Sequence, residues 1–311
     1  MCIRDRYIDS KDKKFGYDLI VAMYKMQPIL NARDSTRFER QQYSTPTPFG
    51  YVMGQFINAN KKVESVLEPS AGNGALTITF PAPIVHVNDI DERRIQNLRT
   101  LGYGEVTTRD ALLPFDESVD AVVTNPPFGT TVAKEFDGGK LKISSLEGLM
   151  AINALDSMKD DGRAAIIIGG NTSYRENGAM QSKDMKLFAY LYSHYNVVDV
   201  INLDGEMYKR NGTKFNERII LINGRKTGPF KLTAPPVKSK ARAEQVKTFD
   251  ELYNRIQDDI RSIQQMGDLF NGTEGEARTT DNTGSGENSN VSNRPKSGER
   301  GKSVQPGKEL G

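Results

Sequence analysis

Short apolar runs rich in β-branched residues recur through the middle of the chain, and between them apolar residues return every three or four positions. The runs cover residues 65–67, 84–88, 106–108, 119–124, 164–168, 197–203 and 218–222, lengths that suit strands rather than helices. The helical stretches are a short one from Gly74, then 92–101, 145–159 and 182–194. Strands alternating with helices predict a parallel sheet covered on both faces. The connection 203–218 holds Gly205, Asn211 and Gly212 and no helical periodicity, so the last two strands are expected to form a hairpin-like antiparallel pair. The predicted fold class is α/β, with six parallel strands, a last antiparallel one and helices on both faces.

Outside this alternation, helices are predicted over 15–27, stopped by Pro28, over 49–59 after a Pro-rich turn, and over 250–265. The expected organisation is an N-terminal helical segment at 1–48, the α/β domain at 49–224, a basic linker plus helix at 225–267, and a disordered tail at 268–311, where Gly, Ser, Asn, Thr and balanced charge cannot build a core. A formal charge of +2 is too small to argue for a nucleic-acid partner, so only local charge bears on that question. Within 225–247 there are seven Lys/Arg and one acidic residue, a run that reads equally as a phosphate track or as a solvated linker. One cysteine excludes an internal disulfide, and two histidines make no cluster of zinc spacing, so no metal is expected. No apolar run is long enough to span a membrane and no signal peptide is evident; a cytoplasmic protein is the expectation.

The first strand runs into Glu68, Pro69, Ser70, Ala71, Gly72, Asn73, Gly74 and then a helix, the place where a ligand meets backbone N–H groups. A dinucleotide fingerprint would put a third glycine where Thr77 stands, which disfavours a pyrophosphate. Glu68 would repel phosphates but suits the ammonium and sulfonium charges of S-adenosylmethionine. The second strand ends in Asp89, placed to accept ribose hydroxyls, with Ile90 next to it, while Asp91 reads as a helix cap. Asp110, followed by Ala111, ends the third strand and could accept from the cofactor's adenine amino group. A glycine turn alone is often only a turn. Three acceptors at three consecutive strand ends favour the cofactor site.

The fourth strand ends in Asn125, Pro126, Pro127 and Phe128. An exocyclic amine on a base is a poor nucleophile because its lone pair is delocalised into the ring. Two acceptors on its hydrogens, the Asn125 amide oxygen and the Pro126 carbonyl, would draw the nitrogen toward tetrahedral geometry. Fixed acceptor dipoles also stabilise the positive charge that develops on it, without a strong base. Pro127 restricts Pro126 to an extended conformation, and Phe128 offers a stacking face. Flipping a base out of duplex DNA costs a few kcal/mol, part of which stacking of roughly 1–3 kcal/mol offsets.

In the order of these motifs the chain resembles the γ-type amino-methyltransferases of DNA, chiefly N6-adenine enzymes. Gln42, Tyr43, Ser44, Thr45, Pro46 is similar to that family's N-terminal motif, which closes over the methionine part of the cofactor. The resemblance covers about 38–224 and assigns cofactor contacts to Tyr43, Thr45, Pro46, Glu68, Ser70, Gly72, Gly74, Asp89, Ile90, Asp110 and Ala111, and catalysis to Asn125–Phe128. It implies a Rossmann-like, class I S-adenosylmethionine-dependent methyltransferase sheet. It also implies an aromatic from the loop before the last strand on the far face of the flipped base; Phe215 is the candidate. Sequence-specific members carry a large recognition domain after the catalytic one. Here a short helical segment and a polar tail follow, so specificity is weak, or comes from a specificity or helicase partner, or the chain is a fragment, as in methylase regions of mobile-element or phage proteins. The same tetrad serves enzymes acting on guanine N2 in RNA, cytosine N4 in DNA and a glutamine amide, so an RNA methyltransferase acting on guanine N2 or adenine N6 is an alternative, and a non-catalytic binding subunit of a methyltransferase complex is a further one.

Overall fold

The computed structural model describes residues 12–29, 44–228 and 231–276, with side chains to 265. Tyr43, with the rest of 30–43, residues 1–11 and 277–311 of the predicted disordered tail lie outside the described residues.

Helix α1 (Lys13–Met26) starts where the Asp12 carboxylate accepts from the backbone N–H of Lys14 and Phe15, and stops short of Pro28. Helix α2 (Thr47–Ile57) begins directly after Pro46, with Pro48 in its first turn, where a missing N–H costs nothing. The α/β alternation follows: β1 (Val66–Glu68), β2 (Val85–Asn88), α3 (Glu92–Arg99), β3 (Glu105–Thr107), β4 (Val119–Thr124), β5 (Thr130–Phe136), β6 (Leu141–Ser145), α4 (Leu146–Asp156) and β7 (Met158–Gly169). Next come β8 (Ser173–Tyr174), β9 (Met180–Gln181), α5 (Met185–His194), β10 (Tyr195–Leu203) and β11 (Glu217–Arg225), then the single-turn α6 (Lys240–Ala243) and α7 (Phe249–Glu276). As the sequence pattern predicts, Asp91 caps α3, accepting from the Arg93 N–H at 2.9 Å.

Seven strands form one sheet in the order β10-β11-β7-β4-β1-β2-β3. Every neighbouring pair is parallel except those of β11, which runs antiparallel to both β7 and β10. The last strand therefore sits between two others, buried on both faces. Side chains alternate across the sheet, so each central strand feeds two cores. Ala165, Ile167, Ile219 and Leu221 pack with α1, α2, α3 and α7, while Ala164, Ile166, Ile168, Ile220 and Ile222 pack with α4 and α5.

Two short hairpins, β5–β6 and β8–β9, were not legible in the pattern. The first turns at Asp137 and Gly138, both with positive φ, the chemistry of a tight hairpin. Its first strand is mostly solvated and has no apolar face to betray it. The connection 203–218, read as lacking helix, contains a 3-10 helix, Gly205–Asn211. The Asp204 side chain caps it at Glu206 N, and an element with three residues per turn leaves no 3.6-residue signature.

The basic stretch 225–247 is exposed over much of its length but tied back to the sheet. Four of its seven cations have internal partners: Arg225 and Lys226 donate to carbonyls of Met158, Leu155 and Tyr192, and Lys238 and Arg242 donate to Asp199. Asp199, 3% exposed on β10, also receives Arg255 of α7, at 2.8 and 3.2 Å. These cations hold its carboxyl below the usual carboxylate range in spite of burial. Leu252, Ile256, Ile260 and Ile263 of α7 join the same core as α1 and α2, so α7 up to Gly267 belongs to one compact unit with the sheet. The described part of α7 reaches Glu276.

Asp199→Ala is expected to lower stability by about 3–5 kcal/mol, because it leaves buried cations without their counter-charge; chemical denaturation monitored by circular dichroism checks this as a fall in the transition midpoint.

Candidate active site

Parallel pairing brings the carboxyl ends of β1, β2, β3 and β4 to one edge of the sheet, and the loops leaving them are tied to one another. Asn88, at the end of β2, is the knot. Its Nδ2 donates to Pro69 O at 2.9 Å and Arg109 O at 3.0 Å, and its Oδ1 accepts from Thr107 Oγ1 at 2.8 Å and Arg109 N at 2.9 Å. All the hydrogen-bonding capacity of one amide thus joins three strand ends. Sequence reasoning missed this, since an isolated Asn at a strand end carries no signal of its partners.

The glycine turn owes its shape to Gly72 and Gly74, with φ of 58° and 74°. A side chain at Gly74 would also meet the Tyr103 hydroxyl at 2.3 Å. Asp89 holds the turn from below: Oδ2 accepts from Gly72 N at 2.8 Å, Oδ1 from Asp91 N at 2.9 Å, and Arg94 lies 3.5 Å away. Glu68 is buried beneath the turn. Its Oε1 accepts weakly from Ser70 N and Oγ at 3.3 and 3.4 Å, and its Oε2 has no hydrogen-bond partner. Burial first, and the neighbouring Asp89 charge second among the raising causes, push its carboxyl well above the ordinary value.

A cavity opens over this edge. Among the predicted residues it is lined by Thr45, Ser70, Gly72, Asp89, Ile90, Asp110, Ala111, Asn125 and Pro127. Arg94, Arg109, Leu146 and Met150 line it too, and none of these was predicted. Asp110 accepts from Leu112 N at 2.9 Å, and Ile90 is 64% exposed although aliphatic. Pro46, Glu68, Gly74, Pro126, Phe128 and Phe215 do not line it. Pro46 instead precedes α2, and Pro126 is buried.

The tetrad is anchored on three sides. Ser70 and Thr124 hydroxyls, 3.0 Å apart, bind the glycine loop to the strand that carries it. Asn125 Nδ2 donates to Thr45 Oγ1 at 3.0 Å. Beyond Phe128, Gly129 N donates to Glu147 Oε2 at 3.0 Å and Gly129 O accepts from Leu146 N at 2.9 Å. A Cβ on Gly169 would stand 3.1 Å from the Phe128 ring, so that ring rests on bare backbone at the end of β7. The loop carrying Phe215, which is 56% exposed, adjoins the same point: Gly170 N donates to Asn216 O at 2.8 Å, and Glu217 pairs with Gly169.

A sequence profile of N-6 DNA methylases matches residues 84–287. The chain belongs to the N-6 DNA methylase family. The Type II methyltransferase M.AccI of Acinetobacter calcoaceticus is 24% identical over 148 residues, a match spanning 41% of this chain and 27% of that protein. The chain thus spans about a quarter of the curated relative it matches. Among solved structures it is similar to the EcoKI M protein of a type I restriction enzyme, at 13% identity, TM-score 0.46, and 83% and 67% of the two chains. It is likewise similar to a Listeria monocytogenes protein assigned to the class I S-adenosylmethionine-dependent methyltransferases, at 16% identity, TM-score 0.45, and 82% and 79% of the chains.

This N-6 DNA methylase uses S-adenosylmethionine, and the cavity has the chemistry for it. Asp89 and Asp110 line the cavity, the buried Glu68 Oε2 has no hydrogen-bond partner, and Ile90 exposes an apolar side chain. None of the described helices is long and apolar enough to cross a membrane. His86, Glu105 and Glu117 bring ligand-type atoms within 4.8 Å of one another, a grouping their spacing in sequence hides, and none of the three lines the cavity.

At the same edge, burial pushes Glu217 up to about 8. Between about 4.3, its value in the unfolded chain, and 8, unfolding releases this proton, so stability falls as pH rises through that window and levels off above it. Glu217→Gln should remove a slope of about 1.4 kcal/mol per pH unit, checked by denaturant unfolding of both proteins at several pH values from 5 to 9.

Proposed function

We propose that the protein transfers a methyl group from S-adenosylmethionine to the exocyclic N6 of adenine in DNA, with the base turned out of the duplex and held at Asn125–Phe128. The observation that carries this reading is the shared cavity: Asn125 and Pro127 line its wall together with Asp89, Ile90 and Asp110. One chamber can thus receive a cofactor at one end and an amine at the other.

When bound, S-adenosylmethionine supplies an electrophilic methyl group on a sulfonium. The protein's own residues bind and orient. Asp89 already accepts a backbone N–H on each oxygen, and a carboxylate oxygen has a second lone pair, so both remain able to accept from ribose hydroxyls. Asp110 and Ile90 suit the adenine amino group and face, and the free Glu68 oxygen suits a cation. At the target, the Asn125 Oδ1 and Pro126 carbonyl accept from the two amine hydrogens and stabilise the charge that develops on nitrogen. Phe128, backed on one side by Gly169, presents its other face to the target ring, and Phe215 on the adjoining loop supplies the opposite wall. The partner is DNA, duplex or displaced strand. Sequence discrimination falls to a specificity or helicase partner or to a further region of a longer protein, in keeping with the quarter of M.AccI that the match spans.

Incubation with methyl-labelled cofactor and unmethylated duplex DNA, single-stranded DNA or total RNA, followed by digestion, is expected to yield N6-methyladenine from DNA; label confined to RNA, or to a different base, would overturn the substrate assignment. Asn125→Ala should cut methyl transfer by about 100-fold or more with cofactor affinity within about twofold by calorimetry, whereas Asp89→Ala should weaken cofactor affinity by about tenfold. A large loss of cofactor binding in Asn125→Ala would reverse the roles.

A further inference from the structure

An asparagine at the tetrad can serve an amine only if its amide oxygen faces the cavity. Its NH2 group in that position would oppose two donors with two donors. The side chain has no intrinsic reason to choose, because the two ends of the amide are nearly alike in shape. Something outside the tetrad must decide. In this protein the Asn125 Nδ2 donates to Thr45 Oγ1 at 3.0 Å, a residue 80 positions earlier that lines the same cavity.

Thr45 is itself held in place. Its neighbour Ser44 accepts from Asn73 Nδ2 of the glycine loop at 3.1 Å. Pro46 O accepts from Phe49 N at 3.0 Å as α2 begins. Phe49 is fully buried, edge-on to Tyr208 with ring centres 5.0 Å apart. Gly50 brings α2 so close to the glycine loop that a Cβ there would stand 2.1 Å from Ala75 O. The Thr45 hydroxyl is therefore held at the far end of the amide; it can donate as well as accept, and with Nδ2 opposite it, it accepts and leaves Oδ1 to the cavity. We propose that Thr45 is a positioning residue for Asn125: its hydroxyl accepts from Nδ2 and supports the orientation that turns Oδ1 toward the target amine. The segment 44–46 thereby joins the cofactor loop, through Asn73, to the tetrad, through Asn125. This differs from a cofactor contact, the role that the resemblance alone would give Thr45, because it acts on turnover and not on cofactor affinity. The proposal rests on the amino-methyltransferase reading for its chemistry, while the hydrogen bond can be read without any activity.

The test uses the full chain and three substitutions: Thr45→Val, which keeps the shape and removes the hydroxyl, Thr45→Ser, which restores it, and Asn125→Asp. With asparagine side chains labelled with nitrogen-15, the Asn125 amide pair is the one lost in Asn125→Asp. Thr45→Val is expected to move that pair and Thr45→Ser to return it near its original position; an unmoved pair in Thr45→Val overturns the proposal. In methyl transfer at saturating cofactor, Thr45→Val should lower kcat on the order of 10- to 100-fold, with cofactor Kd within about threefold and most of the rate recovered in Thr45→Ser. In the Asn125→Asp background, where both terminal atoms are oxygens and no orientation needs choosing, Thr45→Val should cost less than about threefold. A loss carried by Kd, or an equal loss in both backgrounds, would make Thr45 a cofactor contact or a structural prop instead. If the unaltered protein methylates no DNA, the substrate assignment fails, and the amide spectrum still decides the role of Thr45.

Discussion

Parallel pairing of β1 with β4, Val66 opposite Ala121 and Leu67 opposite Val122, is the constraint on which the site depends. In a parallel sheet every strand delivers its carboxyl end to the same edge, and loops that leave adjacent strands must meet there. The glycine turn after β1 and the tetrad after β4 are 50 or so residues apart in the chain, yet the Ser70 and Thr124 hydroxyls are 3.0 Å apart. An antiparallel neighbour in either position would have sent one of these loops to the opposite edge.

The same constraint explains why acidic and amide groups crowd that edge. Loop backbones at strand ends have N–H and carbonyl groups that the sheet no longer satisfies, and Asn88, Asp89 and Glu147 supply the missing partners. The result is a stiff floor made of backbone held by side chains. Glu68 is the exception: one oxygen of its buried carboxyl has no partner within the chain, and such a group is costly until something fills the position.

On the opposite flank, charge serves assembly. Asp199 gathers Lys238, Arg242 and Arg255 from two segments that follow the sheet in sequence. Those contacts fasten the chain after β11 across the edge strand β10, where Val246 bridges to Leu203, and the fastening covers an otherwise open sheet edge. Two of the seven cations in the run 225–247, Lys238 and Arg242, are in this way taken up by one buried carboxylate.

Alternation, β-branching and turn residues are local properties, so the residue pattern alone locates the seven strands of the sheet and the antiparallel direction of the last one, although β7 starts at Met158, inside the stretch that reads as helix. The motif order from the glycine turn to Asn125–Phe128 is legible in the same way, since each motif is a contiguous string. Where β11 inserts, which of the predicted residues share a wall and which side chains hold others in place emerge only from the folded chain. Asn88, Glu147 and the Thr45–Asn125 contact could not be read beforehand, because a hydrogen bond between distant residues depends on the path of everything between them. The hairpin at 130–145 and the 3-10 helix at Gly205–Asn211 were hidden for a different reason: one strand is too solvated and the helix too tightly wound to leave the periodicity by which such elements are recognised.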